Sequence, residues 1–202
     1  MDVRQATENL EVIRTLMERT CQYELLTARA GLVAGSLAGV GALSFLILDA
    51  SDPWHFGLVW GLVFLGSLLT TSLCTIFRAR ERGEPVWSRQ AKAVLFALMP
   101  ATLSAFALSI FFFYQGMHLW LPGVWMLCYG QGALATSAYA PQPIRALGML
   151  VLLLGAFTLT SGPNLAIWMM GLVFGLGHGW LGVTLLLRER RERSVRLFRT
   201  VA

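Results

Sequence analysis

The stretch 165–193, LAIWMMGLVFGLGHGWLGVTLLLRERRER, decides the fold. Its part 165–187 carries no Asp, Glu, Lys or Arg, and about 20 such residues in a helix cross a hydrocarbon core of about 30 Å. It stops at Arg188-Glu189-Arg190-Arg191-Glu192-Arg193. An apolar run ended by a basic cluster is a last membrane span with a stop-transfer signal, each basic residue gaining about 1 kcal/mol beside anionic lipid. The same cluster predicts that the helix continues out of the membrane.

Outward from this run, five more windows of similar size occur at 30–48, 56–77, 93–113, 119–139 and 144–160. Pro141, Pro143 and Arg145 on one side, and Ser161-Gly162-Pro163-Asn164 on the other, punctuate the fifth. With 56% hydrophobic residues, the reading is an all-α polytopic membrane bundle: a helix at 1–29, six transmembrane helices within 30–187, and a basic tail at 188–202.

All 16 Lys and Arg residues fall in alternate intervals. Arg4, Arg14, Arg19 and Arg29 precede the first window; Arg78, Arg80, Arg82, Arg89 and Lys92 separate the second from the third; Arg145 precedes the fifth; the Arg188 cluster follows the sixth. The intervals between hold Asp49, Asp52, His55 and His118 instead. The positive-inside rule then places both termini in the cytoplasm. Trp54, Trp60, Tyr114, Trp120 and Trp125 stand at the depth of an outer aromatic belt. Topology alone accounts for the net charge of +5, so no nucleic-acid partner is required. No cleavable leader is expected, since charged residues crowd the first 29 positions. Cys21, Cys74 and Cys128 form no C-x-x-C pair and predict no disulfide framework.

Before the first window, Val3, Ala6, Leu10, Ile13 and Met17 recur every three or four residues and draw an apolar stripe along a helix. Arg4 with Glu8, and Arg14 with Glu18, stand one turn apart on its wet face. Such a helix lies on membrane lipid headgroups or docks a protein partner or a second copy. Glu8, Glu11, Glu18 and Glu24 favour docking, because a lipid-binding face is ordinarily more basic.

Within the windows, Gly31, Gly35 and Gly39 repeat every fourth residue, as do Gly171, Gly175 and Gly179. Faces of this kind let two backbones approach closely, which predicts tight helix packing within the chain or between copies. His178 is the one strongly titratable side chain deep inside a window. It serves either as a proton or ligand site, with Gln131, Thr70, Thr71 and Ser72 as candidate partners, or as a hydrogen-bonding bridge between helices. His55 and His118, with Asp49 or Asp52, could meet at the outer rim as a weak divalent-metal site, although no established ligand spacing is present, and no metal or other cofactor is expected. Six spans with a Gly-flanked histidine in the last resemble the rhomboid layout. The nucleophile is missing, however, because Tyr129-Gly130-Gln131-Gly132-Ala133 stands where Gly-x-Ser-Gly would be. Metalloprotease, Walker-type and dinucleotide motifs are absent as well.

Gly61-Leu62-Val63-Phe64 and Gly171-Leu172-Val173-Phe174 match, hinting at three repeated hairpins that would gather the second, fourth and sixth helices around Gln131 and His178. The stretches 82–88 (RGEPVWS), 123–130 (GVWMLCYG) and 175–179 (GLGHG) resemble bacterial six-span integral membrane proteins with no assigned activity. That resemblance implies a plasma-membrane location and brings no ligand. The functional expectation is a non-enzymatic integral membrane protein that works by oligomer or partner association through its cytoplasmic helix. The alternative is a small transporter or channel with a polar intramembrane site at His178 and Gln131.

Overall fold

The computed structural model describes residues 27–201, and every regular element among them is helical. In chain order these are α1 (Ala28–Ser44), α2 (Pro53–Arg82), α3 (Arg89–Tyr114), a 3-10 turn (His118–Trp120), α4 (Leu121–Thr136), α5 (Gln142–Ser161) and α6 (Pro163–Val201). Helices α2, α3, α5 and the Leu165–Arg191 part of α6 are long and apolar enough to cross a membrane. Helices α1 and α4 are shorter, at 17 and 16 residues. The amphipathic stripe expected before the first window, and Cys21, lie outside the described residues.

Local chemistry sets the helix ends. The Thr27 hydroxyl accepts the Ala30 N–H at 3.2 Å, so α1 starts two residues earlier than its apolar window. The Asp52 carboxylate accepts the Trp54 N–H at 2.8 Å, with Pro53 in the first turn of α2. At its other end Gly83 takes φ 65°. Its N–H bonds the Arg80 carbonyl and the Glu84 N–H bonds the Ala79 carbonyl, a left-handed cap that a side chain would strain. Ser88 caps α3 through the Ala91 N–H. Helix α4 is shorter than its window because the chain enters through the 3-10 turn and leaves through a tight turn in which the Ser137 N–H bonds the Leu134 carbonyl. Helix α6 runs unbroken through the Arg188 cluster. At about 1.5 Å per residue it outruns the hydrocarbon core by several turns.

Successive helices are antiparallel. The packing order is α2 on α1, α1 on α6, α6 on α5, α5 on α4 and α4 on α3, with a smaller contact of α4 on α6. The two ends of this arc meet at one extremity, where a Cβ on Gly57 of α2 would stand 3.4 Å from the Phe113 ring of α3. Helix α2 packs along α1 rather than beside α4 and α6, meeting them near its two ends through Phe56–Trp125 and Arg78–Glu189, so the gathering of α2, α4 and α6 around Gln131 and His178 is not seen. The two copies also differ in environment: a Cβ on Gly171 would overlap Ala42, whereas Gly61 has open space.

The small-residue faces of α1 and α6 close on each other. A Cβ on Gly31 would stand 3.0 Å from Gly182 Cα, and one on Gly35 would stand 2.6 Å from the Gly175 carbonyl oxygen and 2.8 Å from Gly179 N. Gly39 and Gly179 differ, since their own Cβ positions are empty and they contribute backbone for the facing glycine to lie on. A second zipper joins α4 to α5. Cβ atoms on Gly123, Gly130, Gly148 and Gly155 would meet Gly155 O at 3.3 Å, Leu152 N at 2.7 Å, Ala133 Cβ at 3.0 Å and Leu127 N at 2.9 Å. Its glycines are seven apart on each helix, so they return to one face. In lipid, where apolar contact alone gives no net drive, such close approach is what holds helices together.

At the end holding Asp49, Asp52 and His55, Phe45, Phe56, Trp60, Phe113, His118 and Trp125 build an aromatic cluster. Phe56 stacks on Trp125 at 5.6 Å and lies edge-on to His118 at 5.3 Å. Trp54 and Tyr114, expected in an outer belt, are 85% and 89% exposed. Trp60 is buried and Trp125 bonds Ser109 Oγ at 2.7 Å. These two face inward rather than toward the interface, because each lies on the helix face that meets a neighbour.

Candidate functional site

The site grows from α6. His178 sits one turn after Phe174, and its Nδ1 lies 2.9 Å from the Phe174 carbonyl oxygen. A carbonyl only accepts, so Nδ1 carries the proton. The neutral ring then presents a lone pair at Nε2, which lies 2.8 Å from the Tyr129 hydroxyl of α4. Tyr129 donates and His178 accepts. The rings of Tyr129, Phe174 and His178 pack together with centroids 5.1 to 5.6 Å apart, and all three are partly buried. Chemically this is a satisfied hydroxyl–imidazole bridge between two helices. Among the described residues, no carboxylate bonds either ring nitrogen.

The partners expected from the sequence are elsewhere. Gln131 follows Tyr129 by two residues, about 200° around the helix, and faces away from α6 with its side chain exposed. Thr70, Thr71 and Ser72 belong to α2, which packs along α1 and meets α6 further on, through the Arg78–Glu189 pair. The structure thus does not bring Gln131 and His178 together. Tyr129 was missed although the signal was present: of the four tyrosines it alone lies in mid-window, since Tyr23, Tyr114 and Tyr139 stand at or beyond the ends.

The outer histidines differ in environment. His118 is 4% exposed beneath the aromatic cluster, with Nε2 at 3.3 Å from the Ala50 carbonyl and Nδ1 without a partner. His55 lies at the surface, 3.4 Å from an Asp52 carboxylate oxygen. Asp49 accepts from the Ser51 hydroxyl and N–H at 2.8 and 2.9 Å, bonds that hold its carboxyl below the ordinary carboxylate range, the hydroxyl being the larger cause. Among the described residues, no three His, Cys, Asp or Glu side chains gather as a metal site requires.

At the opposite end lie Arg78, Arg80, Arg82, Arg89, Lys92, Arg145 and Arg188. There Arg78 of α2 pairs with Glu189 of α6, the two side chains being 19% and 23% exposed, while Arg78 Nε is buried without a partner. Sequence reading missed this pair because 111 positions separate its members. No protein-family model, curated protein or solved structure matches the chain.

Proposed function

We propose that the chain is a non-enzymatic protein of six membrane spans, with both termini in the cytoplasm of a bacterial plasma (inner) membrane. It works by association of its helix at 1–29 with a second copy or a protein partner. The observation that carries this reading is the internal pairing of Tyr129 with His178: the two side chains best able to do chemistry inside the bundle satisfy each other. Both glycine zippers are likewise consumed within the chain. That leaves the Arg-rich end, the exposed helix faces and the expected helix at 1–29 for a partner. The alternation of basic and non-basic helix ends supports the six-span topology, with α1 and α4 crossing beside longer neighbours.

The test is association of the full chain in lipid vesicles. Leu10→Asp with Ile13→Asp, which breaks the apolar stripe, abolishes association, and His178→Ala leaves it intact. Unchanged association in the stripe variant, together with solute flux that His178→Ala stops, overturns the proposal in favour of a transporter.

A further inference from the structure

Gln131 is the one amide side chain in the middle of a described helix; Gln90, Gln115, Gln142 and Asn164 stand at helix ends. Its depth follows from its neighbours. A Cβ on Gly130 would stand 2.7 Å from Leu152 N, near the middle of α5, and one on Gly132 would stand 2.8 Å from Leu98 and 3.3 Å from Ala101, near the middle of α3. Both helices are long and apolar enough to cross a membrane. Where they cross, Gln131 lies at mid-depth. Its side chain is exposed and, among the described residues, has no hydrogen-bond partner.

A hydroxyl at such a depth turns back to its own helix, as Thr102 does to the Leu98 carbonyl at 3.1 Å and Ser36 to the Leu32 carbonyl at 3.0 Å. A glutamine amide carries two N–H donors and a carbonyl acceptor that one helical turn does not satisfy. Leaving them unpaired in hydrocarbon is costly, because no water is there to replace the lost hydrogen bonds. The amide therefore calls for a partner at its own depth that both donates and accepts.

We infer that Gln131 of α4 is the centre of an intramembrane contact with a second copy of this chain, in which the two Gln131 amides hydrogen-bond each other. Copies inserted in the same orientation are related by an axis along the membrane normal. Their α4 helices run parallel and every residue meets its counterpart at equal depth. A glutamine amide is its own complement, each giving one N–H and accepting one. Ala135, one turn further along, is exposed on the same face and lets the helices approach. The inference rests on the association reading and the same membrane crossing, and adds a contact within the bilayer to the one at 1–29.

The experiment counts photobleaching steps of the labelled full-length chain in phosphatidylethanolamine–phosphatidylglycerol vesicles over a range of protein-to-lipid ratios. The native chain pairs, Gln131→Leu weakens pairing about tenfold, and Gln131→Asn keeps most of it. Leucine on a lipid-facing position does not burden folding, which unchanged thermal unfolding confirms. With the native cysteines replaced by serine and copper–phenanthroline with dissolved oxygen added as the oxidant, Ala135→Cys forms a disulfide with its counterpart and Leu153→Cys on α5 does not. Equal pairing of Gln131→Leu and the native chain, single copies at every density, or cross-linking through Leu153→Cys alone overturns the inference. Loss of pairing in the Leu10→Asp, Ile13→Asp chain with none in Gln131→Leu leaves the association reading standing and sinks this one.

Discussion

Replacing Gly35 by alanine adds one methyl group between α1 and α6, 2.6 Å from the Gly175 carbonyl oxygen and 2.8 Å from Gly179 N. Both obstacles are backbone, so no side chain can swing aside. Ordinary contact begins near 3.4 Å, so the helices must part by about 0.8 Å at this level, loosening the neighbouring Gly31–Gly182 and Ala42–Gly171 contacts. Overpacking of this kind costs about 1–3 kcal/mol, and the better helix propensity of alanine returns up to about 1 kcal/mol. With that return in full the net loss is about 0–2 kcal/mol, and the loss relative to a substitution that gains propensity alone is about 1–3 kcal/mol. Gly39→Ala is the control on the same helix, because its Cβ meets nothing within 4 Å; it gains the propensity term alone and is neutral or slightly stabilised. Equilibrium unfolding in mixed micelles, followed by circular dichroism, compares the two. Equal stability of Gly35→Ala and Gly39→Ala refutes the claim that backbone contact closes the α1–α6 seam.

Tyr129→Phe strands the His178 Nε2 lone pair and lowers stability by about 1–2 kcal/mol; in a double-mutant cycle with His178→Leu, coupling below about 0.3 kcal/mol would remove the bridge from the account. Arg78→Met and Glu189→Gln each destabilise the chain, and their cycle shows a favourable coupling that persists in high salt because both side chains are mostly buried; a coupling that vanishes with salt contradicts that picture. Ser51→Ala raises the Asp49 pKa toward the ordinary carboxylate value, read by carbon-detected NMR titration. Since that pKa is depressed in the folded chain, its contribution to stability is present above the ordinary carboxylate range and is lost as pH falls through the folded value. Gly130→Ala destabilises the α4–α5 seam much as Gly35→Ala does the other, its Cβ facing Leu152 N at 2.7 Å, and an unfolding midpoint equal to that of the native chain would speak against it.

Local features were legible in the residues themselves. Apolar runs such as 165–187 determined where helices form, since in lipid every backbone N–H and C=O must bond within its own segment. Thr27, Asp52 and Gly83 determined where helices begin or end, through cap bonds between residues two to five apart. The glycines of 31–39 and 171–179 were legible as packing faces, but spacing does not name the opposite face. Only the tertiary structure decided that these faces close on each other, and that a second pair closes α4 on α5. It likewise decided that His178 takes Tyr129 and that Gln131 turns outward. Helical periodicity tells which residues share a face of one helix; which helix lies against that face depends on contacts made far apart along the chain, and these exist only once the bundle has assembled.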